Sequence, residues 1–136
     1  MSGRLLLNID VPDLEAGIAF YTEAVGLTVS RRFDSGFAEL LGADAPIYLL
    51  TKQAGTAIGP TGVDDRRYGR HWTPVHPDFA VDDLDSAIAR AEAAGAVQEG
   101  ETCEAPYGRL AMFADPFGHG FCLIQFNEKG YDALLG

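Results

Sequence analysis

Apolar and polar positions along this chain follow two alternating periods, and the alternation occurs twice. Arg4–Val11 ends as a strand-like run in which Leu6, Asn8 and Asp10 share one face by the period-2 rule. The acidic turn Pro12-Asp13 is of the kind that caps a helix. Leu14, Ile18, Tyr21 and Val25 then recur at helical spacing, and Gly26 stands where a left-handed C-terminal cap is needed. Three short strand-like runs follow, Leu27–Phe33, Gly36–Leu41 and Pro46–Thr51. Seventy positions after the first strand the same grammar returns. Val75–Val81 reads as a strand, Asp82-Asp83 as a cap, and Leu84, Ile88 and Ala91 as a helical stripe ending near Gly95. Three more strand-like runs close the pattern: 96–102 read as one strand, Tyr107–Ala114 and Gly120–Phe126. Asp34-Ser35-Gly36 and Asp115-Pro116-Phe117-Gly118 supply turn chemistry between strands.

The chain thus reads as two β-α-β-β-β repeats, 4–52 and 74–127, joined by a Gly- and Pro-rich linker at 53–73. One helix per repeat covers too little sheet for a half to stand alone, so a single domain over 1–136 is expected. Composition narrows the function classes. Apolar residues are 47% and charged residues 22%, which excludes intrinsic disorder. Ten Lys+Arg against twenty Asp+Glu give a net charge of -10, a surface that repels phosphate backbones and anionic lipid. Neither nucleic-acid nor membrane partners are expected. No apolar run approaches the roughly 20 residues a membrane span needs, and the first residues lack a signal-peptide pattern. Two cysteines, Cys103 and Cys122, make no disulfide framework, so a cytoplasmic setting is expected.

Four features in order carry a family resemblance: the duplicated pattern, the strand-ending Val11-Pro12-Asp13-Leu14 and Val81-Asp82-Asp83-Leu84, Ala19–Leu27, and Asp115-Pro116-Phe117-Gly118. Together they resemble the vicinal oxygen chelate superfamily, which includes glyoxalase I, extradiol dioxygenases, and fosfomycin- and bleomycin-resistance proteins. The resemblance spans Leu5 to Phe126. It implies an α+β fold in which the two repeats form a cup-shaped, eight-stranded mixed sheet, commonly in a homodimer. It also implies four positions facing a divalent metal ion in the enzymes, which here are Leu6, Tyr48, His76 and Cys122. Leu6 cannot coordinate, a tyrosine hydroxyl is a poor ligand, and Cys122 would favour zinc over an oxygen-ligated ion. The expectation is therefore no enzymatic metal site and no cofactor, with one divalent metal ion as the alternative.

What remains at those positions is an apolar surface with polar handles, the composition of a small-molecule pocket. Asn8, Tyr48, His76 and Cys122 are the candidate ligand contacts, with Asp78 sharing the His76 face. His76 is also the candidate general base should catalysis occur. His119 reads as a turn residue, and Cys103 carries no functional reading. The linker sequence Asp64–Trp72 holds three of the ten basic residues and two large aromatics. It reads either as a solvated loop neutralised by its own aspartates or as a lid. In a lid, Tyr68 and Trp72 would stack on a planar ligand while Arg70 meets an anionic group. The expected function is binding of a small, aromatic or drug-like molecule, as in drug-sequestering members. The alternative is a metal-dependent lyase, isomerase or dioxygenase with unusual ligands.

Overall fold

A computed structural model of the protein describes residues 3–71 and 73–136. The chain divides into two compact units, Met1–Gly69 and Arg70–Gly136.

In the first unit β1 (Leu7–Val11) leads into α1 (Leu14–Val25), then β2 (Thr28–Phe33), β3 (Phe37–Leu41) and β4 (Ile47–Thr51). The sheet order is β1-β4-β3-β2, with β1 parallel to β4 and the other pairs antiparallel. Asp13 caps α1 by accepting from the Ala16 N–H at 3.0 Å, and Gly26 ends it at φ 73°. The buried stripe of α1 is Gly17, Ile18, Phe20, Tyr21 and Ala24, so it is centred away from Leu14 and Val25, which stay half-buried. Gly17 explains the offset. A Cβ there would lie 3.1 Å from Val11 and 3.2 Å from Leu49, so the helix rides directly on the sheet at this point. Val11, Ala38, Leu40 and Leu49 are fully buried on that side.

The second unit repeats the plan with β5 (Asp78–Ala80), α2 (Leu84–Ala93), β6 (Val97–Gln98), β7 (Cys103–Ala105), β8 (Gly108–Ala114) and β9 (Gly120–Phe126), and ends in a 3-10 turn at Gly130–Leu134. Its order is β5-β9-β8-β6, with β7 also pairing β8. Asp83 caps α2 through the Ser86 N–H at 3.2 Å. The 115–118 turn is built on Asp115, 5% exposed, whose Oδ1 accepts from the Phe117 and His119 amides at 2.8 and 2.9 Å.

One expectation is corrected here. The run 96–102 is not one strand: Gly100 at φ +76° turns the chain, and the two short strands β6 and β7 each pair with β8. The α+β fold stands, with that strand split in two among the described residues. Over 55–66 the linker folds back on itself. Gly55 N–H donates to the Arg66 carbonyl, Arg66 N–H to the Thr56 carbonyl, and Ile58 N–H to the Asp64 carbonyl, a hairpin-like fold-back. Arg66 then ties it to β1 through Asp10 at 2.9 Å. Among the described residues no helix is long and apolar enough to cross a membrane.

Candidate functional site

Each sheet turns one face to its helix and leaves the other without one, and the polar candidates lie on the second kind of face. In the first unit the register sets Asn8 opposite Tyr48 and Tyr48 opposite Glu39, so these three form a row across β1, β4 and β3. Glu39 is 7% exposed, an unusual position for a carboxylate unless it is paired. It is paired twice. Arg31 donates to it in a bidentate grip, at 3.0 and 2.9 Å, and the Tyr48 hydroxyl donates at 2.6 Å. Those bonds to Arg31 and Tyr48 hold the Glu39 carboxyl down at about 2, and the same carboxylate raises Tyr48 above its ordinary value. Tyr48 is thus a hydroxyl with its proton committed and its ring fixed beside Phe37, which stacks on Phe33 at 4.1 Å. Sequence reasoning missed Arg31 and Glu39. Glu39 sits in a run that reads as strand, but nothing local marks it as buried.

In the second unit Asp78 lies opposite Cys122, and Cys122 opposite Met112. The Cys122 N–H bonds to the Pro77 carbonyl at 3.0 Å, which continues the ladder one step and brings His76 alongside. His76 Nε2 is 3.1 Å from Asp78 Oδ1. One ligand atom each from His76, Asp78 and Cys122 can be chosen so that all lie within 4.8 Å of one another. Cys122 is 3% exposed, and burial, reinforced by the Asp78 charge, pushes its thiol up to about 12. It is a neutral thiol, which argues against a Cys–His nucleophilic pair.

His76, Cys122 and Met112 also line a small cleft that opens to solvent, with a cavity volume of about 10 Å³ and with Arg70, Thr73, Glu99 and Gly120 among its lining. Arg70 does not wait there for an anion. It grips Glu99 at 2.6 and 2.7 Å and lies against Gly120, where a Cβ would come within 2.9 Å of the guanidinium. Each charge sustains the other: the Arg70 bonds lower Glu99, and Glu99 raises Arg70.

The five sequence candidates are thus placed as two pairs and one residue left aside. Asn8 and Tyr48 are neighbours in the first unit, and His76 and Cys122 are neighbours in the second. Trp72 lies outside the described residues. Tyr68, its proposed partner in a lid, donates its hydroxyl to the Lys52 carbonyl. The aspartates of the linker do not neutralise all of its arginines: Arg67 is 3.9 Å from Asp64, but Arg66 goes to Asp10 and Arg70 to Glu99. The register also secures the repeat. Asn8 opposite Tyr48 corresponds to Asp78 opposite Cys122, so the two last-strand positions are equivalent.

The four positions that the resemblance sets facing a divalent ion differ in what they offer. The first unit offers Leu6, Asn8 and a Tyr48 hydroxyl already bonded to Glu39, while the second places a thiol among its three donors.

Residues 7–124 match the model of the glyoxalase-like domain, and the chain belongs to that family, within the vicinal oxygen chelate superfamily. The anthracycline biosynthesis protein DnrV of Streptomyces peucetius is 35% identical over 120 residues, covering 86% of this chain and 38% of DnrV. The chain therefore spans well under half the length of that relative. Among solved structures, the fosfomycin resistance protein FosX from Listeria monocytogenes superposes with a TM-score of 0.70 at 20% identity, covering 95% of this chain and 97% of FosX. TnmS3, an antibiotic binding protein from Streptomyces sp. CB03234, superposes with a TM-score of 0.63 at 26% identity, covering 93% and 98%.

Proposed function

We propose that this protein binds a small, largely apolar and aromatic molecule on the helix-free faces of its sheets, without an oxygen-ligated catalytic metal, as a single-domain chain that assembles as a homodimer. Asn8 and Tyr48 are the polar groups offered by the first repeat's face, and His76 and Cys122 those offered by the second's; Trp72 is added on the sequence argument. The observation that carries this reading is the Arg31–Glu39–Tyr48 network. It fixes a tyrosine ring and two phenylalanine rings on a face that no helix covers. Preset aromatic surfaces with few, oriented polar groups suit planar ligands. The cavity beside His76 and Cys122 is about 10 Å³, far below the roughly 300–1,000 Å³ of a drug-sized site, so a ligand of that size would lie on an open sheet face and not inside this cleft. The antibiotic-related relatives support an aromatic natural product as the ligand class.

Calorimetric titration with a panel of planar aromatic compounds, anthracyclines among them, in the presence of a chelator tests the proposal. Saturable binding is expected, weakened by roughly 1 kcal/mol in Asn8→Leu through a lost hydrogen bond. Trp72→Phe should cost about as much if its ring contacts the ligand. A panel that gives no saturable heat would sink this reading.

A further inference from the structure

We propose that the first repeat selects, among planar aromatic molecules, those with a neutral carbonyl oxygen at the ring edge, and that Arg31 on β2 is the residue that recognises it. The inference rests on the aromatic-ligand reading and names the chemistry that reading leaves open. A guanidinium presents five N–H donors in a fixed planar fork. Both bonds from Arg31 to Glu39 run through Nε and Nη2, so the Nη1 donors are not spent on that carboxylate. The bidentate grip fixes the plane of the fork, and the Phe33 ring supports it, its centroid 5.1 Å from the guanidinium carbon. The Arg31 side chain is nevertheless 59% exposed, whereas Glu39 is buried with its oxygens taken by Arg31 and Tyr48. What this network offers outward is a donor. The donor stands beside an aromatic surface: Phe33 stacks on Phe37, Phe37 adjoins Tyr48 at 6.4 Å, and all three are half-buried. A flat ring laid against Phe37 and Tyr48 brings an acyl oxygen on its edge toward the fork. Charge decides which kind of oxygen. Arg31 and Glu39 cancel, Asp10 on the same face is matched by Arg66, and the chain carries -10 overall. An anion therefore finds no surplus positive charge on this face and meets the repulsive field of the whole chain. A neutral carbonyl needs only the N–H donors, which are already oriented. Quinones and aryl ketones fit; aryl carboxylates and bare hydrocarbons fit less well.

Equilibrium dialysis against three ring-matched probes is the test: 2-acetylnaphthalene, 2-ethylnaphthalene and 2-naphthoate, which differ only in a ketone, a hydrocarbon and a carboxylate on one ring. The ketone should bind about tenfold more tightly than the hydrocarbon, the scale of one hydrogen bond from a charged donor, and more tightly than the carboxylate. Arg31→Lys keeps a cation for Glu39 but lacks the fork, and should bring the ketone down to the affinity of the hydrocarbon. Arg32→Lys, at a neighbouring arginine paired with Glu15, should keep the preference. Should Arg31→Lys fail to fold, the unaltered protein still decides: nitrogen-15 NMR of the Arg31 guanidinium should shift with 2-acetylnaphthalene and not with 2-ethylnaphthalene. Equal affinity for the ketone and the hydrocarbon, a carboxylate that binds as tightly as the ketone, or a ketone preference that survives in Arg31→Lys would overturn the assignment. Each of those results leaves the aromatic-ligand reading standing, because the probes still bind. Failure of all three probes, together with a silent calorimetric panel, would remove both.

Discussion

Glu39 stays ionised inside the sheet because a guanidinium and a phenol converge on it from the strands either side. Its folded carboxyl is held at about 2, below an ordinary 4.5. A depressed carboxylate stabilises the fold at pH values above its unfolded value, and that stabilisation is lost as pH falls from about 4.5 toward about 2. Chemical denaturation at a series of acid pH values should show a falling limb in this window, and Glu39→Gln should flatten it. An unchanged limb in the variant would assign the acid sensitivity elsewhere. Cys122 supplies the opposite case. A buried thiol pushed up to about 12 should resist alkylation at pH 8 in the native protein, whereas Cys103, on an exposed strand, reacts. Mass spectrometry after a timed iodoacetamide pulse should find one modified cysteine in the folded chain and two after unfolding.

The elements depend on local devices of unequal cost. The Asp13 cap satisfies one amide of α1, so Asp13→Ala should lower stability by about 1 kcal/mol by urea denaturation. Gly17 is a harder constraint, because the helix meets Val11 and Leu49 there with no space for a side chain. Gly17→Val should destabilise by roughly 1–3 kcal/mol through overpacking. Gly108 begins β8 at φ +141°, and a Cβ there would fall 2.0 Å from the Gln125 carbonyl oxygen. Gly108→Ala should therefore cost about 2 kcal/mol or more and loosen the β8–β9 ladder, visible as faster amide exchange from Phe126 inward.

Across the whole molecule the edges of the sheets point to assembly. Each sheet ends in a strand paired on one side only, β1 in the first and β5 in the second. Exposed strand edges are usually covered by another element or another chain. Light scattering at micromolar concentration should report a particle of twice 14.6 kDa. A stable monomer would refute the dimer while leaving the fold untouched.

The repeat, the α+β class, the caps at Asp13 and Asp83 and the Asp115 turn were legible in the sequence because each is a local pattern of burial period or backbone chemistry. His76 and Asp78 could be placed on one face for the same reason: two positions along a strand point the same way. The partnerships across the sheets were not legible. That Arg31 grips Glu39, that Tyr48 donates to it, that Arg66 crosses to Asp10 and Arg70 to Glu99 follow from strand register and chain return, which bring together residues 8 to 56 positions apart. Charge composition says how many ion pairs can form, and only the tertiary structure decides which. The same holds for Cys122. Its position on a strand could be read from alternation, but its neutrality comes from burial beside Asp78, a residue 44 positions earlier that the β5–β9 pairing sets opposite it.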